Sequence, residues 1–170
     1  EVCFLRAEGA LRGWNMGGQT AQQYYEQGIR VSMEEKKATL GNYLSSTAHP
    51  ADYADYEQSY KYSAMSTVSP KWDTAAGFEE NLERIIIQKW IATYPSGWET
   101  WADIRRTGYP KFFPIVDNKS NSTVSSSRGM RRLPFPESEK NTNTANVEAA
   151  VAMLEGSDTA ATDLWWAKKD

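Results

Sequence analysis

A mainly helical domain threaded by long irregular loops is the fold class this sequence predicts, on three observations. Residues 1–37 and 78–107 carry apolar side chains at spacings of three, four and five, the rhythm of helices with one buried side. Glycine, proline, serine and threonine stand at the ends of those stretches, where helices stop and start. Residues 40–69 and 108–143 lose that rhythm and fill with Tyr, Ser, Asp and Pro, which is loop composition.

The first helix is expected over residues 1–12, with Val2, Phe4 and Leu5 facing inward, closed by Gly13 and the pair Gly17 and Gly18. Thr20 suits the N-cap of a second helix over 21–37, where Tyr25, Ile29 and Met33 repeat every four residues. Gly28, beside Ile29, leaves room for a neighbouring helix. Residues 40–69 then form a long excursion with a short helix near 52–60. Phe78, Leu82, Ile85, Ile86, Ile91 and Tyr94 stripe a third helix, which Pro95, Ser96 and Gly97 break. Trp98, Trp101 and Ile104 stripe a fourth, so residues 78–110 read as an antiparallel helical hairpin with an arginine-pair exit. Residues 108–143, with Pro110, Pro114, Pro134 and Pro136, read as extended loop. Thr144 caps a last helix over 145–154, ended by Gly156, and Trp165 and Trp166 are expected to pack back on the body.

One core and a single domain over residues 1–170 are expected, burying roughly two thirds of the unfolded surface. The net charge of -3 supplies no basic field for nucleic acid. Mean hydropathy is -0.66, yet seven Trp and nine Tyr supply much of the apolar area. Cys3 is the single cysteine, so an intrachain disulfide or a thiolate metal site is excluded, and it reads as a small core residue. No apolar run of about eighteen residues is present to span a membrane.

Chemistry-bearing patterns are few. The one histidine, His49, precedes Pro50 in a polar loop, with no nucleophile or phosphate-loop motif anywhere in the chain. Glu34 with Glu35 and Glu79 with Glu80 read as solvated helix faces. Neither an enzyme, a metal centre nor a cofactor site is expected. What remains is aromatic. Tyr53, Tyr56, Tyr60 and Tyr62 alternate with Asp52, Asp55, Glu57 and Gln58, and Trp72 follows in SPKWD. Flat rings stack on the apolar faces of sugars while carboxylates and amides take the hydroxyls, so Tyr53, Tyr56, Tyr60 and Trp72 are the candidate ligand-binding residues. The same tyrosine spacing also describes one buried side of a short helix. Trp90, Trp98 and Trp101 read as core of the helical hairpin. Seven basic residues stand between Ile104 and Leu133 against the single acid Asp117. The pairs Arg105 with Arg106 and Arg131 with Arg132 read as structural, bridging helix ends and loop carbonyls.

The blocks IIIQKWIA at 85–92, WADIRRTGYP at 101–110, EVCFLRAEGALRGWNMGG at 1–18, YYEQGIRVSME at 24–34, RRLPFPESEKNTN at 131–143 and LWW at 164–166 resemble, in order, the C-terminal half of the SusD/RagB family. That resemblance implies tetratricopeptide-like helical hairpins with long loops. It also implies non-catalytic capture of oligosaccharide at the outer-membrane surface, delivered to a TonB-dependent (SusC-like) transporter. The chain would then be the C-terminal part of a longer lipoprotein whose export signal and lipidated cysteine lie upstream. Cys3, just before FLRAEGAL, is not that cysteine. The rival expectation is a helical-repeat module that binds protein, its glycan site lying in the upstream half.

Overall fold

The computed structural model describes residues 1–167. In order they form α1 (Val2–Leu11), α2 (Ala21–Glu35), a 3-10 turn, β1 (Tyr53–Ala54), β2 (Lys61–Tyr62), α3 (Phe78–Thr93), α4 (Gly97–Thr107), α5 (Glu137–Thr142) and α6 (Thr144–Ala152). The fold is mainly helical, tetratricopeptide-like, with long loops. Two compact units divide the chain: Glu1–Ile104 with Tyr109–Lys111, and Arg105–Gly108 with the residues from Phe112 on.

In the first unit α1, α2 and α3 pack on one another. α1 buries Phe4 and Ala7, three residues apart, whereas Val2 and Leu5, expected inside, face solvent. A ten-residue helix with apolar residues on several sides can roll either way, and here the shape of its neighbour decides. A Cβ added at Gly28 of α2 would lie 2.8 Å from the Phe4 ring, so only glycine leaves the hollow that the ring fills. α2 opens with a capping box in which the Gln23 N–H donates to Thr20 Oγ1 at 3.2 Å and the Thr20 N–H to Gln23 Oε1 at 2.8 Å. It runs back along α1. Tyr24, near its start, donates to the carbonyls of Met16 and Gly17 beyond the end of α1, and Gly28, a turn later, meets Phe4 near its beginning.

Tyr25 is fully buried against the Phe4 edge, and Trp72 leans on its ring at 5.3 Å. Its hydroxyl donates to the Pro70 carbonyl at 2.6 Å, tying the far end of the long loop to the helices. Burial pushes this phenol far above its ordinary pKa. Tyr25→Phe should leave that carbonyl without its donor and cost about 1–2 kcal/mol, read as an earlier urea midpoint with an unchanged far-ultraviolet spectrum.

The covered side of α3 is centred on Leu82, Ile85, Ile86 and Lys89, three and four residues apart. Ile91 and Tyr94 of the expected stripe are exposed, as is Phe78 at the first turn. The five-residue step from Ile86 is the cause: Ile91 lies about half a turn round the axis from Leu82. Arg84 is buried yet satisfied, donating to the Ser69 carbonyl at 3.0 Å, to Glu80 at 3.0 Å and to the Asn81 side chain. Lys89 links α3 to the start of α4 within this unit by ion pairs. Lys89 Nζ lies 2.8 Å from Asp103, 3.5 Å from Glu1 and 3.8 Å from Glu99. Trp98, expected in an apolar seam there, is 74% exposed with its ring edge-on to Trp101 at 5.6 Å, and Trp90 is also exposed. Tyr109 donates to Glu79 at 3.0 Å; burial, then that bond, pushes its phenol up to about 12.

The second unit is organised by arginines. Arg131 is 3% exposed and places Nε 2.6 Å from Asp163, whose other oxygen takes Arg128 at 2.7 Å. Arg131 also donates to the Arg105 carbonyl at 3.1 Å, and Arg105 to the Arg131 carbonyl at 3.3 Å. Arg132 pairs with Asp158 at 2.5 Å, and the Phe135 N–H and Lys140 share that carboxylate. These arginines are structural, as their residue type in loop text suggests. Burial raises both aspartates, and their arginine partners more than reverse it, leaving each below the usual carboxylate range. Arg105 covers the Trp166 ring at 4.7 Å, while Trp165, expected to pack, is exposed.

Several helix boundaries differ from expectation, and α2 stops at Glu35 rather than 37. α5 forms inside the stretch read as loop, because its six residues follow Pro136 and carry no apolar period to announce it. Thr144 is not the cap of α6. Its hydroxyl donates to the Lys140 carbonyl at 2.6 Å, and Asn143 holds the N-cap position with its side chain bonded to Glu139 and Asn146 rather than to the first-turn backbone. The helix ends at Ala152 rather than 154.

Candidate functional site

Residues 52–64 form a β-hairpin where a short helix was expected. Tyr53 pairs with Tyr62 and Ala54 with Lys61, antiparallel. A two-residue ladder is marginal by itself, and two aspartates fasten it. The Asp55 N–H donates to the Tyr60 carbonyl at 3.1 Å, while Asp55 Oδ1 accepts the Tyr60 N–H at 2.9 Å. Asp52 Oδ1 accepts the Ala64 N–H at 2.8 Å across the open end. Gln58, at a φ of 58°, reverses the chain between them.

Successive side chains of a strand point to opposite faces. Tyr53 and its partner Tyr62 therefore share a face that Tyr60, two residues from Tyr62, extends. Ala54 and Lys61 take the other. Tyr53 and Tyr60 are about half exposed, and Tyr56 stands fully in solvent at the turn. Three of the four candidates are thus gathered on one hairpin. Trp72 is set apart from them, half-buried on Tyr25 among the helices. Tyr62 joins the face through pairing, and the alternation of Tyr53, Asp55, Tyr60 and Tyr62 was the signal for it.

Other features offer less. A cavity of about 40 Å³ between Phe4, Ile29, Met33, Tyr43, Gln88 and Ile91 has room for a water and none for a sugar ring. Among the described residues no group of three or more His, Cys, Asp or Glu side chains could hold a metal, and no helix is long and apolar enough to cross a membrane. His49 stays exposed beside its own Pro50 carbonyl at 3.3 Å.

The family model described as SusD-like, Susd and RagB outer membrane lipoprotein, matches residues 1–167, and the chain belongs to that family. Its fold superposes on a SusD homologue from Bacteroides uniformis with a TM-score of 0.92 at 47% identity, covering 99% of this chain and 36% of that one. A SusD-like protein from Bacteroides thetaiotaomicron gives 0.89 at 47%, covering 99% and 36%. A chitin-binding SusD homologue from Flavobacterium johnsoniae gives 0.87 at 44% identity, covering 96% and 34%. The chain therefore spans about a third of the length of these structures. No curated protein matches it.

Proposed function

We propose that this chain is the C-terminal part of a lipid-anchored outer-membrane protein that captures oligosaccharide without cleaving it and passes it to a TonB-dependent transporter. The carrying observation is membership of the SusD-like family, with a chitin-binding homologue at 44% identity. The tyrosine face of the hairpin is the surface on this chain best suited to a sugar ring. Tyr53 and Tyr60 are about half exposed and Tyr56 stands in solvent, so a sugar can reach these rings without unfolding the hairpin.

Titration calorimetry of the chain against chito-, cello-, xylo- and malto-oligosaccharides, with reducing ends assayed in the same samples, tests this. Heat without new reducing ends is the expected result. Tyr53→Ala and Tyr60→Ala should each weaken binding roughly 3- to 10-fold, the worth of one ring contact. Their thermal midpoints should stay near that of the parent, since exposed substitutions shift stability little. No heat from any sugar would remove the glycan site from these residues. The exposed Ile91, Tyr94 and Trp98 on α3 and α4 would then favour a protein-binding module.

A further inference from the structure

Resting on the reading of this chain as the C-terminal part of a longer protein, we propose that the outer side of α3 is an internal joint, covered by a helix of the polypeptide that precedes Glu1. Two outer faces of the three-helix unit are chemically unlike. On α2 the exposed residues Gln23, Gln27, Arg30 and Glu34 follow at steps of four, three and four, and Val31 alone among the exposed residues of that helix is apolar. On α3 the steps of four and three fall instead on half-buried Ile87, then Ile91 and Tyr94. Ile91 is 48% and Tyr94 72% exposed. Trp90, beside them, has contacts of its own. Steps of four and three are how a helix buries one side against another, and this stripe lies across α3 from the covered side at Leu82, Ile85 and Ile86.

A stack of helical hairpins ends on a polar outer face, because a last apolar face would otherwise stay in water. The outer side of α2 meets that description and the outer side of α3 does not, so α3 is an inner layer of a longer stack. Size selects the occupant. Ile87, Ile91 and Tyr94 together offer on the order of a few hundred Å², well short of the about 800 Å² that each partner gives to a stable interface. Neither a second copy nor a separate protein is held by them alone. A segment of the same polypeptide needs no such area, since its tether supplies an effective concentration on the order of millimolar. The chain accounts for 34–36% of the length of its homologues, which leaves ample polypeptide for a further helix. A segment joined ahead of Glu1 also starts close by. Glu1 lies 3.5 Å from Lys89 Nζ, level with Ile91 along α3, so about one helix width, 10–12 Å, separates it from the stripe.

Hydroxyl-radical footprinting read by mass spectrometry tests the joint. It is run at equal radical dose on the 170-residue chain and on the natural polypeptide that carries it, purified as a single species with an antibody to the chain. Oxidation of Ile91 and Tyr94 should be fast in the chain and fall several-fold in the natural polypeptide, while Val31 on the polar side of α2 keeps its rate. The same antibody gives the size of the natural polypeptide. One no larger than the 19.2 kDa of this chain would overturn the C-terminal reading and the joint together. A longer one in which Ile91 and Tyr94 oxidise as fast as in the chain, or in which Val31 is protected equally, would overturn the joint alone. Protection in the isolated chain that grows with protein concentration would give the stripe to a second copy and overturn the joint as well. None of these outcomes touches glycan capture, which calorimetry decides.

Discussion

Phe4→Ala is expected to cost the three-helix core about 3–5 kcal/mol, the range for emptying a buried aromatic site. The ring is 1% exposed, sits edge-on to Tyr25 and fills the hollow above Gly28. The floor of the hollow is α2 backbone at Gly28, which cannot move in to fill the space. The reverse substitution, Gly28→Ala, puts a methyl 2.8–3.0 Å from three ring carbons and should cost about 1–3 kcal/mol by overpacking. The two losses share one space and should not add. In the Phe4→Ala background, Gly28→Ala should be close to neutral or stabilising, a coupling well above the few tenths seen for independent sites. Hydrogen exchange resolved by segment is the right readout, with α1 and α2 losing protection together. Simple additivity would show that ring and glycine do not share a space.

Asp163→Ala should be as damaging to the second unit. Its carboxylate answers Arg131, which is buried, and Arg128, and removing one side of a buried ion pair leaves an uncompensated charge worth about 3–5 kcal/mol. The same contacts set an acid dependence. The carboxyls of Asp158 and Asp163 sit below their ordinary value of 3.8 in the fold. A folded pKa lower than the unfolded one gives stability that is present above the unfolded value and lost as pH falls through the folded one. The second unit should therefore loosen as pH drops from about 4 downward, seen as faster exchange in residues 128–163. Asp163→Ala should weaken that acid response as well as lower stability at neutral pH. A variant that kept the full acid response would place its origin elsewhere.

Helices were legible wherever local chemistry decides them. Thr20 with Gln23, the glycines after α1 and the break at Pro95 to Gly97 each act within a turn of where they stand. Which side of a helix is covered was not legible, because that depends on a neighbour. α3 is apolar on more than one side, and only packing against α1 and α2 selects Leu82, Ile85 and Ile86 over Ile91 and Tyr94. Lys89 shows the limit from the polar side. Nothing in IIQKWIA announces a lysine 2% exposed, since the acids that permit it come from residue 1 and from α4. The hairpin was missed for a related reason. Tyr53, Tyr56 and Tyr60 stand three and four apart, the spacing of one helix side, and what overrides it is pairing across the turn, closed by two aspartates. The composition that made this loop a candidate site was legible; its geometry was not.

The aspartates that hold the hairpin are different residues from the tyrosines that face outward, and this division of labour bears on how such a surface changes over generations. Exchanging Tyr56 or Tyr60 leaves the side-chain bonds of Asp52 and Asp55 in place, because those bonds reach backbone N–H groups. Selection can then exchange the outward-facing residues at these positions without passing through unfolded intermediates. Diversity in the exposed residues can accumulate on a hairpin whose architecture stands still.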